Sequence, residues 1–331
     1  MHNTMTDEEK MLKIEDLRVH FPVRGGVFRR AVGACKAVDG VSLSLKKGQT
    51  LGLVGESGCG KSTLAKAVVK LVEPTSGSIR FKNKEVSESE DEINFRKSVQ
   101  MVFQDPAESL NSRMTVGSII GEPLEVHKIG DKSERLGRVE QLLEQVGLSK
   151  SAAKRYPFEF SGGQRQRIGI ARALALKPEL LVLDEPVSAL DVSVQSQVLN
   201  LLMDLQTELQ LTYLLIAHDL AVVKHVSDMI AVMYLGKIVE LGPAEELYSN
   251  PVHAYTKALI SAIPIPDPAI KRKKVVIPGE VPSPINPPSG CAFGHRVDSS
   301  NYRKSIGKKL NFVEVKPDHW VLRCPCCVGK I

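Results

Sequence analysis

The chain has 331 residues, of which 43% are hydrophobic and 25% charged, and its formal net charge is +6. This composition is typical of a globular protein with a sizeable core, and the length favours one large domain with an appendage. The modest positive charge requires neither a membrane nor a nucleic acid as partner. No run approaches the roughly 18 apolar residues of a membrane span. The polar, acidic start MHNTMTDEEK lacks the pattern of a secretory signal, so we expect a cytosolic chain.

The first part of the chain predicts strands followed by one helix. Residues 12–21 alternate as a strand does, a Gly/Arg-rich loop covers 25–36, and 37–55 reads as a second pair of strands. Residues 62–72 have helix composition, and the helix is expected to end before Pro74.

Between this strand pair and this helix lies the phosphate-loop pattern GxxxxGK[ST]. Glycines let successive backbone N–H groups converge on phosphate oxygens, and the helix N-terminus adds the positive end of its dipole. Lys61 supplies a charge for the β- and γ-phosphates, and the Ser62 hydroxyl can ligate Mg²⁺. The candidate nucleotide-binding residues are Gly55, Glu56, Ser57, Gly58, Cys59, Gly60, Lys61, Ser62 and Thr63.

The middle of the chain predicts helices, then buried strands. Signals from 116 to 176 are almost all helical, and residues 180–186 (LLVLDEP) form a short run suited to a strand buried on both faces of a parallel sheet. A helix over 191–210, a strand over 212–219 (TYLLIAHD) and a hairpin turning at Gly236 follow. Strands alternating with helices indicate an α/β fold with a parallel sheet.

Polar side chains follow several of these predicted strands. Asp184 and Glu185 end the LLVLD strand, where Asp184 can hold Mg²⁺ and Glu185 can activate the attacking water. Gln104 ends a shorter apolar run and could reach the metal or the water, and His218 suggests a γ-phosphate contact. These residues predict nucleotide hydrolysis.

The tetrapeptide Ser161-Gly162-Gly163-Gln164 completes a set that resembles the ATP-binding-cassette family in motif order. A hydroxyl, two glycines and a helix N-terminus make physical sense as a second phosphate site. The resemblance implies that this signature faces the phosphate loop of another subunit and that the loop ending at Asp191 crosses to that partner. It also implies an aromatic stacked on adenine, either Phe21 or Phe28.

The resemblance extends to the dipeptide/oligopeptide (and nickel) uptake ATPases, through FQDP at 103–106, HAYTKALISAIPIPDP at 253–268 and GEVPSPINPPSGC at 279–291. It implies a second, homologous ATPase, identical or not, arranged head to tail. It also implies two membrane permeases above the pair, a solute-binding protein acting indirectly, and a peripheral location on the cytoplasmic face of the membrane. The alternatives are nickel or another small solute as cargo, an exporter ATPase, and a soluble cassette ATPase acting on nucleic acid. One cassette without sustained heptads does not favour the last, so no nucleic acid is expected as partner.

The expected architecture is a P-loop NTPase core with a RecA-like parallel sheet and an antiparallel β subdomain, spanning 1–104 and 176–240. A helical subdomain is inserted at 105–175, and a small irregular extension covers 241–331. Eight prolines between Pro264 and Pro288 and the basic run at 271–274, interpreted as a solvated face, predict little regular structure there.

Six cysteines are too few for a disulfide scaffold, but four of them lie close to the end of the sequence, between residues 291 and 327. In some relatives this region holds an iron–sulfur cluster. Cys291 matches the first cysteine of that pattern and Cys324 roughly the last, whereas the middle two are absent. The thiols of Cys291, Cys324, Cys326 and Cys327 could still gather a cluster or zinc, or remain reduced and unliganded.

Overall fold

The computed structural model describes residues 10–25, 30–86, 92–263, 277, 279–297 and 301–328. These residues form two compact units. The first contains residues 10–11, 46–49, 86 and 92–216, and the second contains the remaining described residues.

A parallel sheet of β6 (Val99–Val102), β7 (Leu180–Asp184) and β8 (Thr212–Ala217) belongs to the first unit. Every residue of β7 and β8 is buried, as expected for strands covered on both faces. β7 therefore delivers Asp184 and Glu185 to the carboxyl end of this sheet.

Helices make up most of the rest of the first unit, and most of them lie between β6 and β7 in the chain. They are α2 (Glu92–Ser98), α3 (Pro106–Ser109), α4 (Val116–Val126), α5 (Lys132–Gln145), α6 (Gly162–Leu174) and α7 (Val192–Leu209), with 3₁₀ turns at Lys150–Lys154 and Pro157–Glu159. Asp131 begins α5 with a capping box, in which Glu134 reaches back to the Asp131 N–H. Ile120, Leu142 and Ile168 bury the apolar faces of α4, α5 and α6.

The second unit contains an antiparallel sheet with the order β2-β1-β4-β5. Its strands are β1 (Lys10–Gly25), β2 (Arg30–Lys46), β4 (Ser76–Phe81) and β5 (Lys84–Glu85), of which only residues 10, 11 and 46 at the strand ends are grouped with the first unit. The predicted loop over 25–36 is wrong for its described residues, because Gly25 still belongs to β1 and residues 30–36 to β2. The Cys35 backbone forms a bridge with Ile285, which helps to keep this stretch extended.

A second set of strands in this unit begins with β3 (Thr50–Val54), which runs parallel to β9 (Met229–Tyr234). β9 turns into β10 (Lys237–Pro243) through Leu235 and Gly236, which both have positive φ as a two-residue hairpin requires. The hairpin predicted at Gly236 is therefore present. The helices are α1 (Lys61–Val68), α8 (Leu220–Val226), α9 (Ala244–Ser249) and α10 (Ala254–Ala262).

Two further strands, β11 (Phe312–Lys316) and β12 (His319–Leu322), extend the sheet from the edge of β10. They were not predicted from the sequence. The hairpin is fixed by a fully buried pair, since Nε2 of His319 lies 2.8 Å from a carboxylate oxygen of Glu240. The Glu240 carboxylate also accepts the backbone N–H groups of Val252 and His253, so all of its partners are internal to the unit.

The α/β fold class predicted from the sequence is confirmed, because parallel and antiparallel strands combine with helices. Within the described ranges, the helices all fall short of the length and apolar character that crossing a bilayer demands.

Candidate functional site: a nucleotide-binding loop and its hydrolytic residues

The predicted phosphate loop lies between β3 and α1 in the second unit. Gly58 and Gly60 have φ of +77° and +107°, a backbone region that residues with a Cβ rarely adopt. A Cβ on Gly55 would meet the Met233 carbonyl oxygen at 2.1 Å, and one on Gly60 would meet the Ala37 carbonyl oxygen at 1.9 Å. The glycines therefore allow both the curl of the loop and its close approach to neighbouring backbone.

Lys61 is buried inside this curl. Its Nζ donates to the carbonyl oxygens of Gly55 at 2.8 Å and of Glu56 at 3.1 Å, so the lysine folds back across the start of its own loop. Cys59 is also buried, and burial raises the pKa of its thiol although the Lys61 charge opposes the shift. Ser57 and Gly58 are exposed at the tip, and Ser62 and Thr63 open α1.

Residues far along the chain hold the loop in place. The Glu56 N–H donates to the Tyr255 hydroxyl at 2.8 Å, and the Glu56 carboxylate pairs with Nη1 of Arg296 at 3.1 Å. Arg296 is nearly buried and donates through Nη2 to the Gly279 carbonyl. The Gly236 N–H of the β9–β10 turn donates to the Cys59 carbonyl.

An aromatic cluster of Tyr234, Tyr255 and Phe293 lies behind this support. Their ring centroids are 4.7 to 5.3 Å apart in tilted or edge-on arrangements, which aromatic pairs prefer. Burial raises the pKa of Tyr255 far above its ordinary value, so its hydroxyl stays neutral. Sequence reasoning missed Tyr255, Phe293 and Arg296. The segments around them were noted only for their resemblance to peptide-uptake ATPases.

The first unit carries the predicted hydrolytic residues. Asp184 is buried at the end of β7, and Glu185 follows in the left-handed region at φ +47°. A non-glycine residue in this region is uncommon and marks a constrained position. The Glu185 N–H donates to the Ile216 carbonyl, and Nε2 of Gln104 donates to its carboxylate at 2.9 Å. The structure thus brings Gln104 and Glu185 together.

The signature tetrapeptide begins α6. The Ser161 hydroxyl accepts the Gln164 N–H, and the Gln164 side chain accepts the Ser161 N–H, which makes a reciprocal capping box. A Cβ on Gly163 would meet Val194 Cγ1 of α7 at 2.3 Å, whereas one on Gly162 would meet Leu190 Cδ2 at 3.3 Å. Gly163 therefore lets the start of α6 lie directly against α7.

The remaining predicted residues are at the surface. Asp191 begins α7 without a side-chain capping bond and is exposed. His218 follows β8 in the second unit and is exposed. Phe21 is 42% exposed and lies within β1, four residues before its end at Gly25, rather than at the strand end as expected. Phe28, its competitor for the adenine, lies outside the described residues.

Three of the four C-terminal cysteines gather around a histidine that was not predicted. One ligand atom from each of His253, Cys291, Cys324 and Cys327 lies within 4.8 Å of the others, and all four residues are buried. Cys326 is outside this group, although its Sγ is 3.3 Å from that of Cys324. All six cysteines are free thiols in the described part of the chain. The Sγ of Cys326 is also 3.7 Å from that of Cys327, so the four thiols considered from the sequence do lie close together, with the unpredicted His253 beside three of them.

Comparison with known families identifies two regions. Residues 38–188 match the ABC transporter family, and residues 239–300 match the oligopeptide/dipeptide transporter C-terminal region. The chain is 54% identical over 325 residues to the oligopeptide transport ATP-binding protein AppF of Bacillus subtilis, covering 96% of this chain and 98% of that protein. It is 53% identical to OppF of Escherichia coli, with 89% and 90% covered.

Solved structures agree with this assignment. The structure of cbiO1 from Clostridium perfringens, described as part of the ABC transporter complex cbiONQ, matches with a TM-score of 0.63 and 29% identity over 73% of this chain and 92% of its own. The ATP-binding cassette MJ0796, a dimer bound to ADP and phosphate, matches with a TM-score of 0.62 and 28% identity over 71% and 99%. The chain therefore belongs to the ABC transporter family, as an ATP-binding and hydrolysing protein that carries the oligopeptide/dipeptide transporter C-terminal region.

Proposed function

We propose that this ATPase is the motor subunit of an importer that takes up di- and oligopeptides through membrane permeases. Relatives that are 54% and 53% identical carry names for oligopeptide transport. The observation that carries the proposal is that the transporter-specific region, residues 239–300, contributes Tyr255 and Arg296 to the support of the phosphate loop. A region that marks peptide transporters is thus part of the nucleotide-binding structure of this chain.

In the proposed mechanism, the phosphate loop from Gly55 to Thr63 holds the triphosphate, with Lys61 on the β- and γ-phosphates and Phe21 against the adenine. A second, homologous ATPase, identical or not, lies head to tail with this chain. Its phosphate loop receives Ser161 to Gln164 and Asp191 of this chain. Two features support this assignment, because both offer polar groups at the surface. Asp191 is exposed and its side chain makes no capping bond to α7, and the start of α6 is rich in glycine.

For hydrolysis, we assign Glu185 as the general base, Gln104 as the residue that positions it, and His218 as a contact to the γ-phosphate. The Gln104–Glu185 hydrogen bond fixes the carboxylate that accepts the proton of the attacking water. Ser62, Gln104 and Asp184 offer hydroxyl, amide and carboxylate oxygens, the donors that suit Mg²⁺. When bound, Mg²⁺ neutralises charge on the β- and γ-phosphates.

The proposed assembly places the ATPase pair on the cytoplasmic face of the membrane, beneath two permeases that receive solute from a binding protein. The chain serves as a peripheral subunit there, and no nucleic acid takes part. Closure of the pair on ATP and opening after hydrolysis drive the permeases between their two orientations.

The test is solute uptake in cells that lack the chromosomal copy of this gene. Complementation with the wild-type chain should restore uptake of a labelled tripeptide, whereas Glu185→Gln should not. Glu144→Gln, which changes an exposed carboxylate on α5, is the matched control and should behave as wild type. Labelled nickel is measured in parallel. Restoration of nickel uptake without peptide uptake would assign the motor to a different cargo, and restoration of neither would reject the proposal.

A further inference from the structure

We propose that His253, Cys291, Cys324 and Cys327 form a mononuclear zinc site in the C-terminal region. The four side chains belong to residues that are 0%, 2%, 1% and 5% exposed, and their ligand atoms lie within 4.8 Å of one another. Three thiols and an imidazole are one of the recurrent ligand sets of structural zinc, which is closed and four-coordinate.

The backbone around the cysteines is arranged as a metal-binding turn. Cys324 and Cys327 have the C-x-x-C spacing common in zinc sites, and the Cys327 N–H donates to the Cys324 sulfur at 3.1 Å. The Gly294 N–H donates to the Cys291 sulfur at 3.2 Å. Backbone N–H groups directed at ligand sulfurs orient them and stabilise their charged form, as outer partners do in metal sites.

The fourth donor comes from a histidine with an unused nitrogen. Nδ1 of His253 accepts the Tyr255 N–H at 3.2 Å, whereas Nε2 is buried with no hydrogen-bond partner among the described residues. An orphaned polar atom in an apolar interior is costly unless something binds it. Coordination through Nε2 satisfies that atom. A neutral imidazole bound in this way carries its proton on Nδ1, which can then no longer accept the Tyr255 N–H, so zinc binding breaks that bond at the start of α10.

The spacing of the ligands fits one ion rather than a cluster. Ligands about 2.3 Å from a tetrahedral zinc lie about 3.8 Å from each other. The sulfurs of Cys291 and Cys327 are 3.5 Å apart, close to this separation. A four-iron cluster places each thiolate on a different iron and normally uses four thiolates, so it needs a wider pocket. Cys326 is the alternative fourth donor, but it is only partly buried and adjoins Cys327 in the chain.

The two segments that carry His253 and Cys291 also contact the phosphate loop. His253 begins α10, whose Tyr255 accepts the Glu56 N–H, and Cys291 begins the turn that leads to Phe293 and Arg296. The Ala254 N–H donates to the Cys327 carbonyl and joins the two segments. Zinc thus fixes both segments that support Glu56, and its removal should weaken ATP binding.

Metal analysis of the full-length chain, purified anaerobically without a metal-affinity tag, tests the site. We expect about one zinc per chain, with negligible iron and acid-labile sulfide. His253→Asn keeps a side chain able to cap α10 and should raise the zinc dissociation constant at least about tenfold, measured by competition with a chromophoric chelator. Cys326→Ser, the matched control, should leave the dissociation constant within about twofold of wild type.

Three results would overturn the proposal. Iron with stoichiometric sulfide would assign a cluster, and a chain that stays metal-free when supplied with zinc would remove the site. Loss of zinc in Cys326→Ser with retention in His253→Asn would reject the histidine ligand. If the cysteine variants fail to fold, cobalt is titrated into the wild-type chain and His253→Asn. The expected result is intense tetrahedral bands that shift in His253→Asn, and absence of such bands in wild type rejects the site.

Discussion

Lys61 shows how one side chain can organise the phosphate loop. Because its Nζ donates to the Gly55 and Glu56 carbonyls, Lys61→Ala removes two bonds within the loop as well as the charge for the phosphates. Hydrogen bonds from a charged group contribute about 1.5–3 kcal/mol each, so the dissociation constant for ATP should rise at least about tenfold. Titration with a fluorescent ATP analogue measures it. Lys150→Ala, at an exposed lysine, should leave the dissociation constant for ATP unchanged. A rise of less than about twofold in Lys61→Ala would contradict the role of Lys61 in ATP binding.

Glu185→Gln is a second single-residue test, which should stop ATP hydrolysis without preventing ATP binding. The substituted amide can still accept the bond from Gln104 but can no longer take a proton from water. Phosphate release should therefore fall by a factor of about 10² to 10⁴ while ATP binding persists. Size-exclusion chromatography with ATP should show more dimer than in wild type. Hydrolysis at the wild-type rate would show that another group is the base.

The roles of some single residues could be predicted from the sequence, and those of others could not. The phosphate loop was predictable because its glycines meet a backbone requirement that few other residues can meet. Tyr255 and Arg296 were not predictable, since they lie 199 and 240 residues from Glu56 and nothing in their residue type indicates that contact. His253 was missed for the same reason: its buried Nε2 is a property of the folded chain.

At the scale of elements, the packing of α6 against α7 depends on Gly163. Gly163→Ala would place a Cβ 2.3 Å from Val194 Cγ1, a contact that no alanine tolerates without movement. Overpacking of this kind costs about 1–3 kcal/mol, more than the roughly 1 kcal/mol gained from the better helix propensity of alanine. The melting temperature should fall, and adding Val194→Ala should recover part of the loss. Thermal unfolding followed by circular dichroism measures both.

Gly169→Ala is the control within the same helix. A Cβ there meets nothing within 4 Å, so only the helix propensity changes and the melting temperature should stay level or rise. If the melting temperature fell equally in Gly163→Ala and Gly169→Ala, the contact with Val194 would not be the cause of the destabilisation.

Elements were predicted where burial dominates their sequence. β7 and β8 are continuous apolar runs and appear where expected. β11 and β12 were missed because both are short and lie beside a cysteine-rich tail, and because β11 contains the charged residues Glu314 and Lys316. The early start of β2 was missed because glycine and arginine, which favour a loop, are held extended by a neighbouring segment.

At the scale of the whole molecule, the C-terminal region should influence nucleotide affinity. Arg296→Met removes the partner of the Glu56 carboxylate while keeping the volume of the side chain, so the loop loses one anchor. We expect the dissociation constant for ATP to rise about three- to tenfold, consistent with the loss of one charge-assisted bond that is partly exposed at Glu56. Lys316→Met, which breaks an exposed pair with Glu246, should leave ATP affinity unchanged. If both substitutions raised the dissociation constant for ATP equally, a specific link between Arg296 and the phosphate loop would be rejected.

The family and fold class were predictable from motif order, because each motif meets a separate chemical requirement of nucleotide hydrolysis. The division into a core (1–104 and 176–240), a helical insert (105–175) and an extension (241–331) stays a prediction. The grouping of residues 12–25, 30–45 and 50–85 with the described residues after 216 was not evident, since such grouping follows from contacts and not from local pattern.

The buried Glu240–His319 pair has a consequence for synthesis. Glu240 is completely enclosed, and one of its three donors arrives only with β12. Since a buried carboxylate short of a partner is strongly disfavoured, the sheet that carries the Gly236 turn cannot reach its final state while the last strand is still within the ribosome. A chain truncated before β11 therefore leaves Glu240 without its histidine partner, and such chains should be retained by chaperones or removed by proteases.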